Sequence, residues 1–284
     1  MSTASAPDHR LPLNPAGPDP ATEIAQRIGR FIEAWREQNG IPPIWRNPLV
    51  AIATASDPLF TELRRAVAAD HLMPEDLLPG ARSVITFFLP FVRELGKANQ
   101  AAGSFAARSW AEAYLATNQL IAAINAMLAE KLDEINHRTA VTPATHNFDE
   151  KRLLSRWSHK HIAYIAGLGT FGRHHLLITA AGCCGRLGSL VTTAAFAAGP
   201  RPNREYCLAR AGHRCSACVQ RCVYGALGDG PFDRHKCYQQ LLSNDRHFSE
   251  LPLVDVCGKC GSEVPCSYGI PASSEKTGRP GATV

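Results

Sequence analysis

The chain has 284 residues, of which 45% are hydrophobic and 19% charged, and its formal net charge is +5. That length admits one large core plus a smaller module, and the composition is that of an ordinary soluble protein, which excludes the collagenous, low-complexity and membrane-embedded classes. No apolar run reaches the length of a bilayer span. The charge is too small to argue nucleic-acid binding by itself. Met1 to Pro20 shows neither a charged-then-apolar leader nor a twin arginine, so the expected compartment is the cytoplasm, with no membrane partner.

Residues 1–20 are rich in Pro, Ala and Ser without periodicity and read as a disordered tail. From Ala21 onward Ile24, Ile28, Phe31, Ile32 and Trp35 recur at helical steps, and Gly40 with Pro42 ends that helix. Leu49 to Ala53 reads as a strand. Ser56, Asp57 and Pro58 then supply a cap and a first-turn proline for a helix reaching about Ala69. Pro79 and Gly80 turn the chain into Ser83 to Leu89, a run apolar enough for a buried strand, which Pro90 closes. The longest predicted helix, Phe105 to His137, repeats Trp110, Tyr114, Ile121, Ile124, Leu128, Leu132 and Ile135 on one stripe, the pattern of a helix laid on a sheet. Trp110 and Tyr114 are read as core, with a ligand border as the alternative.

Thr139 to Thr142 is a short strand, and Phe148 to Ile165 reads as a polar-rich helix carrying Asp149, His161 and Tyr164. It runs into Gly167-Leu168-Gly169-Thr170-Phe171-Gly172, where three glycines let backbone approach a flat or anionic ligand. The spacing misses the dinucleotide fingerprint and follows a helix, so nicotinamide binding is excluded. Leu176 to Thr179 is a strand, Gly182 to Gly185 a tight turn, and Leu187 to Phe196 a further strand. Cys183 and Cys184 in that turn are packing residues first, and an active-site thiol is the alternative.

Pro200 and Pro202 link this part to a segment holding eight of the ten cysteines: Cys207-x7-Cys215-x2-Cys218-x3-Cys222, then Cys237, then Cys257-x2-Cys260-x5-Cys266. Two-cluster ferredoxins carry C-x2-C-x2-C-x3-C-P twice, with the fourth cysteine of each run crossing to the other cluster. The same crossing here assigns Cys207, Cys215, Cys218 and Cys266 to one [4Fe–4S] cluster and Cys222, Cys237, Cys257 and Cys260 to a second. Gly212 stands where the first cysteine of the pattern would fall, and Val223 replaces the usual proline. A pair of structural zinc sites is the alternative. Cys222 is read as opening a helix from Val223 to Leu227, and Cys237 as riding on a helix from Phe232 to Leu242. Arg201, Arg204, Arg210, Arg214 and Arg221 face a single acid, Glu205; they offset thiolate charge or, alternatively, contact phosphates. Gly269 to Val284 reads as a loose tail.

The expected fold is α+β: an α/β domain over 21–200, a two-cluster ferredoxin-like module over 201–270 and a flexible tail over 271–284. The order of Val50-Ala51-Ile52-Ala53, Asp57-Pro58, Leu78-Pro79-Gly80-Ala81-Arg82-Ser83-Val84-Ile85, the Gly167–Gly172 loop, Leu187-Gly188-Ser189-Leu190 and the late cysteines resembles the epoxyqueuosine reductase family. These are cobalamin-dependent iron-sulfur reductases, distantly related to reductive dehalogenases. The resemblance implies a corrinoid-binding α/β domain, with Gly167, Leu168, Gly169, Thr170, Phe171 and Gly172 lining the corrin. It also implies a small electron donor such as a ferredoxin or flavodoxin, and tRNA as a possible partner. Where the family places an aspartate in Val-Asp-Ser-Ala-Pro, an ungapped alignment puts Leu153, so Asp149, Tyr164 and His161 are the candidate proton donors. The chain also stops short of the helical repeats of many tRNA-acting members. An electron-transfer or activator protein without its own cobalamin is the alternative function.

Overall fold

The computed structural model describes residues 13–17, 19–228 and 230–272. Residues 1–12 and 273–284 of the two predicted tails thus lie outside the described residues. The first tail is shorter than expected: Leu13 is buried in the main core, and Asp19 Oδ1 accepts the Thr22 N–H at 3.1 Å to cap the first helix.

In chain order the elements are α1 (Pro20–Gln38), β1 (Leu49–Thr54), α2 (Leu59–Ala66), α3 (Pro74–Leu77), β2 (Ser83–Pro90), α4 (Arg93–Ala101), α5 (Arg108–Asp133) and β3 (Thr139–Val141). They continue with β4 (Phe148–Asp149), β5 (Leu154–Ser155), α6 (His159–Ile165), β6 (Gly169–Phe171), β7 (Leu177–Thr179), β8 (Gly185–Thr192), α7 (Ala217–Gln220) and α8 (Arg234–His247). A short 3-10 turn spans Lys259–Gly261. No helix among the described residues is long and apolar enough to cross a membrane.

The main sheet has the order β1-β2-β8-β3, and every pairing in it is antiparallel. Side chains alternate along a strand, so β2 sends Ile85, Phe87 and Leu89 into one core with Ile28 of α1 and Ile121 and Ile124 of α5. Its Val84 goes the other way, into a core with Phe60 of α2 and Ile162 of α6. Helices on both faces explain why the strand is buried throughout and reads as one apolar run. The fold is mixed α and β, helices packed on an antiparallel sheet. β8 can lie this close because of Gly188: a Cβ there would stand 2.3 Å from the Phe87 ring and 3.0 Å from Ile121.

Three predicted helices are corrected. Over 148–165 the chain forms the β4–β5 hairpin and only then α6. Asp149 Oδ1 accepts the N–H groups of Lys151 and Arg152 at 3.0 and 2.7 Å, a local turn that competes with helix. Leu153 then adopts a φ of +52°, outside the right-handed helical region. Over 223–227 there is a turn instead of a helix: the Gly225 N–H reaches the Cys222 carbonyl at 3.2 Å, and Gly225 has a φ of +62°. The long helix is α5, shorter at both ends, and a separate α4 precedes it. The Gly182–Gly185 turn also shifts, to Thr179–Gly182, which leaves Cys183 and Cys184 leading into β8.

Beyond residue 200 the described residues hold α7, α8 and the 3-10 turn and no strand. Phe248 and Val254 from this part lie in the same core as α1 and α5.

Candidate metal centres and the cavity beside them

The eight late cysteines fall into two groups of four. Cys207, Cys215, Cys218 and Cys266 surround one small cavity. Cys222, Cys237, Cys257 and Cys260 line another, of about 380 Å³. Burial, followed by the facing Cys266, Cys207 and Cys215, pushes the Cys218 thiol up to about 11. In the second group burial, with Cys257 and Cys222 opposite, pushes Cys237 up to about 11. Burial likewise raises Cys257 and, far more, Cys260. Four crowded thiols cannot shed their protons together without a compensating cation. Each group therefore has the chemistry of a ligand set for iron-sulfur or zinc. The groups adjoin, since Cys218 is near enough to contribute to the rise at Cys260.

Local structure explains how the thiols converge. Cys218 lies on α7 and Cys237 on α8, whose first turn is capped by Asp233 Oδ1 accepting the Lys236 N–H at 3.0 Å. The Cys257–Cys260 turn passes through Gly258 at a φ of +72°, and a Cβ there would lie 2.2 Å from the Trp110 ring. Trp110 of α5 is thus a core residue that seats this turn. Helix α4 clamps the same turn: Asn99 Nδ2 donates to the Cys257 carbonyl at 2.9 Å, and Gln100 Nε2 to the Lys259 and Ser262 carbonyls at 2.7 and 2.8 Å. Gln100 Oε1 in turn accepts from Arg221 at 2.9 Å, which ties the first cysteine run to the second. The buried Lys259 ammonium donates to the Asn99 carbonyl. Cys266 is held by the Cys183 N–H, which donates to its carbonyl at 2.9 Å. One ligand atom each of His174, Cys183 and Cys266 lies within 4.8 Å of the others.

A few polar groups also line the larger cavity. Tyr114 Oη donates to Asp255 Oδ1 at 2.5 Å and stands 3.1 Å from Thr145 Oγ1. The Arg186 guanidinium lies 4.4 Å from the Tyr114 ring centroid, and its Nε is buried without a hydrogen-bond partner. Burial raises the Tyr114 phenol and lowers the Arg186 guanidinium. Lys160, also lowered chiefly by burial, donates to the His175 carbonyl at 3.1 Å.

The three predicted proton donors are absent from that wall. Asp149 is on the surface, held below the usual carboxylate range by the Arg152 N–H. His161 is pushed down to about 3 by burial and then by Lys160, and its Nδ1 sits 2.8 Å from Ser158 Oγ. Tyr164 is 39% exposed and rests against Phe171. The glycine loop forms β6 and its missing side chains face the chain itself. A Cβ on Gly167 would meet the Pro200 carbonyl oxygen at 2.5 Å, on Gly169 that of Ile178 at 2.0 Å, and on Gly172 the His174 ring at 2.2 Å. Leu168 and Thr170 are buried and Phe171 packs on His161. What the loop delivers to the cavity is the next stretch, His174, His175 and Leu176. Cys184 is a core thiol, raised to about 12 by burial.

Sequence reasoning passed over Asn99, Gln100, His174, Arg186 and Asp255. Their signal is positional alone, a polar residue whose partner is remote in sequence. Lys259, between two cysteines of a Cys-x2-Cys pair, was the legible one.

No protein-family model matches the chain. An epoxyqueuosine reductase from Bacillus cereus is 28% identical over 211 residues, which cover 69% of this chain and 51% of the relative, so the chain spans about half the length of that protein. Among solved structures, epoxyqueuosine reductase from Streptococcus thermophilus aligns with a TM-score of 0.52 at 15% identity, over 86% of this chain and 68% of that one. A catabolic reductive dehalogenase in complex with 3-bromo-4-hydroxybenzoic acid aligns with a TM-score of 0.60 at 13% identity, over 91% of this chain and 33% of that one. At such identities the structural likeness is one of fold. In sequence the chain is thus similar to an epoxyqueuosine reductase, and in fold to that enzyme and to a reductive dehalogenase.

Proposed function

We propose that the chain is an iron-sulfur oxidoreductase in which Cys207, Cys215, Cys218 and Cys266 hold one [4Fe–4S] cluster and Cys222, Cys237, Cys257 and Cys260 a second. With both groups loaded, the chain would pass single electrons to a cobalamin beside the second group for reduction of an electrophilic substrate. The observation that carries this reading is the sorting of eight thiols, scattered over sixty residues, into two adjoining groups of four. Clusters and corrinoid, when bound, supply the one-electron steps and the strong reductant.

The donor sets fit iron-sulfur clusters. For a corrinoid the glycine loop gives no support, since its faces are closed by Pro200, Ile178 and His174, and the cavity of about 380 Å³ around the second thiol group could border only one edge of a corrin beside the cluster. The cavity wall joins Leu176, Leu227, Phe232 and Leu241 to the second thiol group, an apolar lining with a few converging polar groups. There Tyr114, whose hydroxyl donates to Asp255, would have to turn from that carboxylate to hand a proton to a departing group, and Arg186 would orient an anionic one. Electrons would come from a small ferredoxin or flavodoxin in a reducing cytoplasm. Arg201 and Arg210 are paired with Asp57 and Glu205, and Arg221 donates to Gln100, so the charge of these arginines is engaged within the chain.

The closed glycine faces favour one second reading, an electron-transfer or activator protein that serves a separate corrinoid protein. Metal analysis of anaerobically purified protein, followed by cobalamin titration, tests both. The expected result is about eight iron per chain with a cobalt spectrum that changes on binding. Iron without corrinoid affinity moves the conclusion to the second reading, and zinc in place of iron overturns both.

A further inference from the structure

We propose that His174 is a positioning residue that sets the reduction potential of the first cluster by donating a hydrogen bond to the sulfur of Cys266. This rests on the iron-sulfur reading above and goes beyond it, since His174 belongs to neither ligand set.

The geometry settles which atom donates. The Leu176 backbone N–H points at His174 Nδ1 across 3.1 Å, and a backbone N–H cannot donate to a ring nitrogen that itself carries hydrogen. Nδ1 is therefore the acceptor, and the hydrogen of this tautomer sits on Nε2. Nε2 lies 3.3 Å from Cys266 Sγ, so the contact is N–H···S, with the ring as donor. His174 is buried and borders the cavities of both thiol groups.

A second observation shows that the ring's place is built. A Cβ on Gly172 would lie 2.2 Å from His174 Cε1 and 2.6 Å from Nδ1. The third glycine of the loop is thus the floor beneath the imidazole, and Gly172 N–H closes the turn onto the Leu176 carbonyl at 2.9 Å.

Hydrogen bonds to ligand sulfur are among the terms that set cluster potentials. One-electron reduction adds a negative charge that is shared by the thiolates, and no proton is taken up. A donor at Cys266 stabilises the reduced form more than the oxidised one, so it raises the potential. A charge-assisted hydrogen bond of ordinary strength corresponds to about a tenfold change in the one-electron equilibrium, or about 59 mV.

The test is an EPR-monitored potentiometric titration, with dithionite as reductant, of anaerobically reconstituted full-length protein. Wild type is compared with His174→Leu, His174→Gln and Gly172→Ala, each with its iron content measured. The expected result is that one of two cluster signals moves by about tenfold, toward lower potential, in His174→Leu and Gly172→Ala. The other signal stays, and glutamine, whose amide N–H can donate, restores part of the shift. Iron-loaded variants with both potentials unchanged overturn the role of His174 and leave the iron-sulfur reading intact. Wild-type protein that takes up no iron overturns both. If His174→Leu fails to fold, Gly172→Ala and His174→Gln carry the comparison, because both keep the loop's polar register.

Discussion

A few buried side chains are each asked to satisfy two partners. Ser189 Oγ accepts the Trp157 indole N–H at 3.0 Å and lies 2.9 Å from His159 Nδ1. Ser189→Ala leaves both groups buried and short of a partner, and a loss of about 1–3 kcal/mol in urea unfolding is expected; an unchanged midpoint would show that neither bond matters. Histidines give the molecule its acid sensitivity. Burial is the first cause holding His71, His159 and His161 below the ordinary value of 6.5, with His161 at about 3. The unfolded chain takes up these protons near pH 6.5 while the folded one excludes them. The unfolded state therefore binds more protons between about pH 6.5 and about pH 3, and stability falls as pH drops through that window. Urea midpoints measured at several pH values should decline below 6.5 and stay level just above it, and His161→Asn should flatten the decline. The same value explains why His161 is a poor acid at neutral pH, a point its place before the glycine loop could not disclose.

At the scale of elements, β8 and α4 carry the most consequence. Gly188 lets β8 and β2 pass under α5, so Gly188→Ala must displace Phe87 or Ile121. Overpacking of this kind costs about 1–3 kcal/mol, and calorimetry should show a lower Tm without loss of secondary structure. Helix α4 was invisible in the sequence because its inner face is Leu95, Gly96 and Asn99, hardly an apolar stripe. Its task is polar, to hold the backbone of the Cys257–Cys260 turn through Asn99 and Gln100. Asn99→Ala should loosen that turn and reduce the iron retained by the second thiol group, read as partial loss of one cluster signal with the other intact. Equal loss of both signals would mean that α4 supports the molecule and not the turn. The hairpin β4–β5 teaches the complementary lesson. The stretch reads as a polar-rich helix, but Asp149 accepting the Lys151 and Arg152 N–H groups and Leu153 at positive φ override that reading.

For the whole molecule, the thiols come from the loop before α7, α7, the turn after it, α8 and the segment from Cys257 to Cys266, and Phe248 and Val254 of this part share their core with α1 and α5. A ligand bound only by the folded state stabilises it, and deprotonated thiols need a cation. Loading with iron and sulfide should therefore raise Tm for the entire chain in a single transition, with chelation reversing the gain. Two separate transitions would show that the cysteine-rich part unfolds by itself. Composition and spacing alone determined the α-and-β class, the buried strand Ser83–Leu89, the helix stripe of α5 and the cysteine runs, because each is a local pattern written in consecutive residues. Only the tertiary structure decided that the sheet is antiparallel, that the glycines close on Pro200, Ile178 and His174, and that Tyr114, Arg186 and Asp255 meet across one cavity. Such contacts join residues far apart in the chain, and their energy depends on burial and approach distance, which no local pattern encodes.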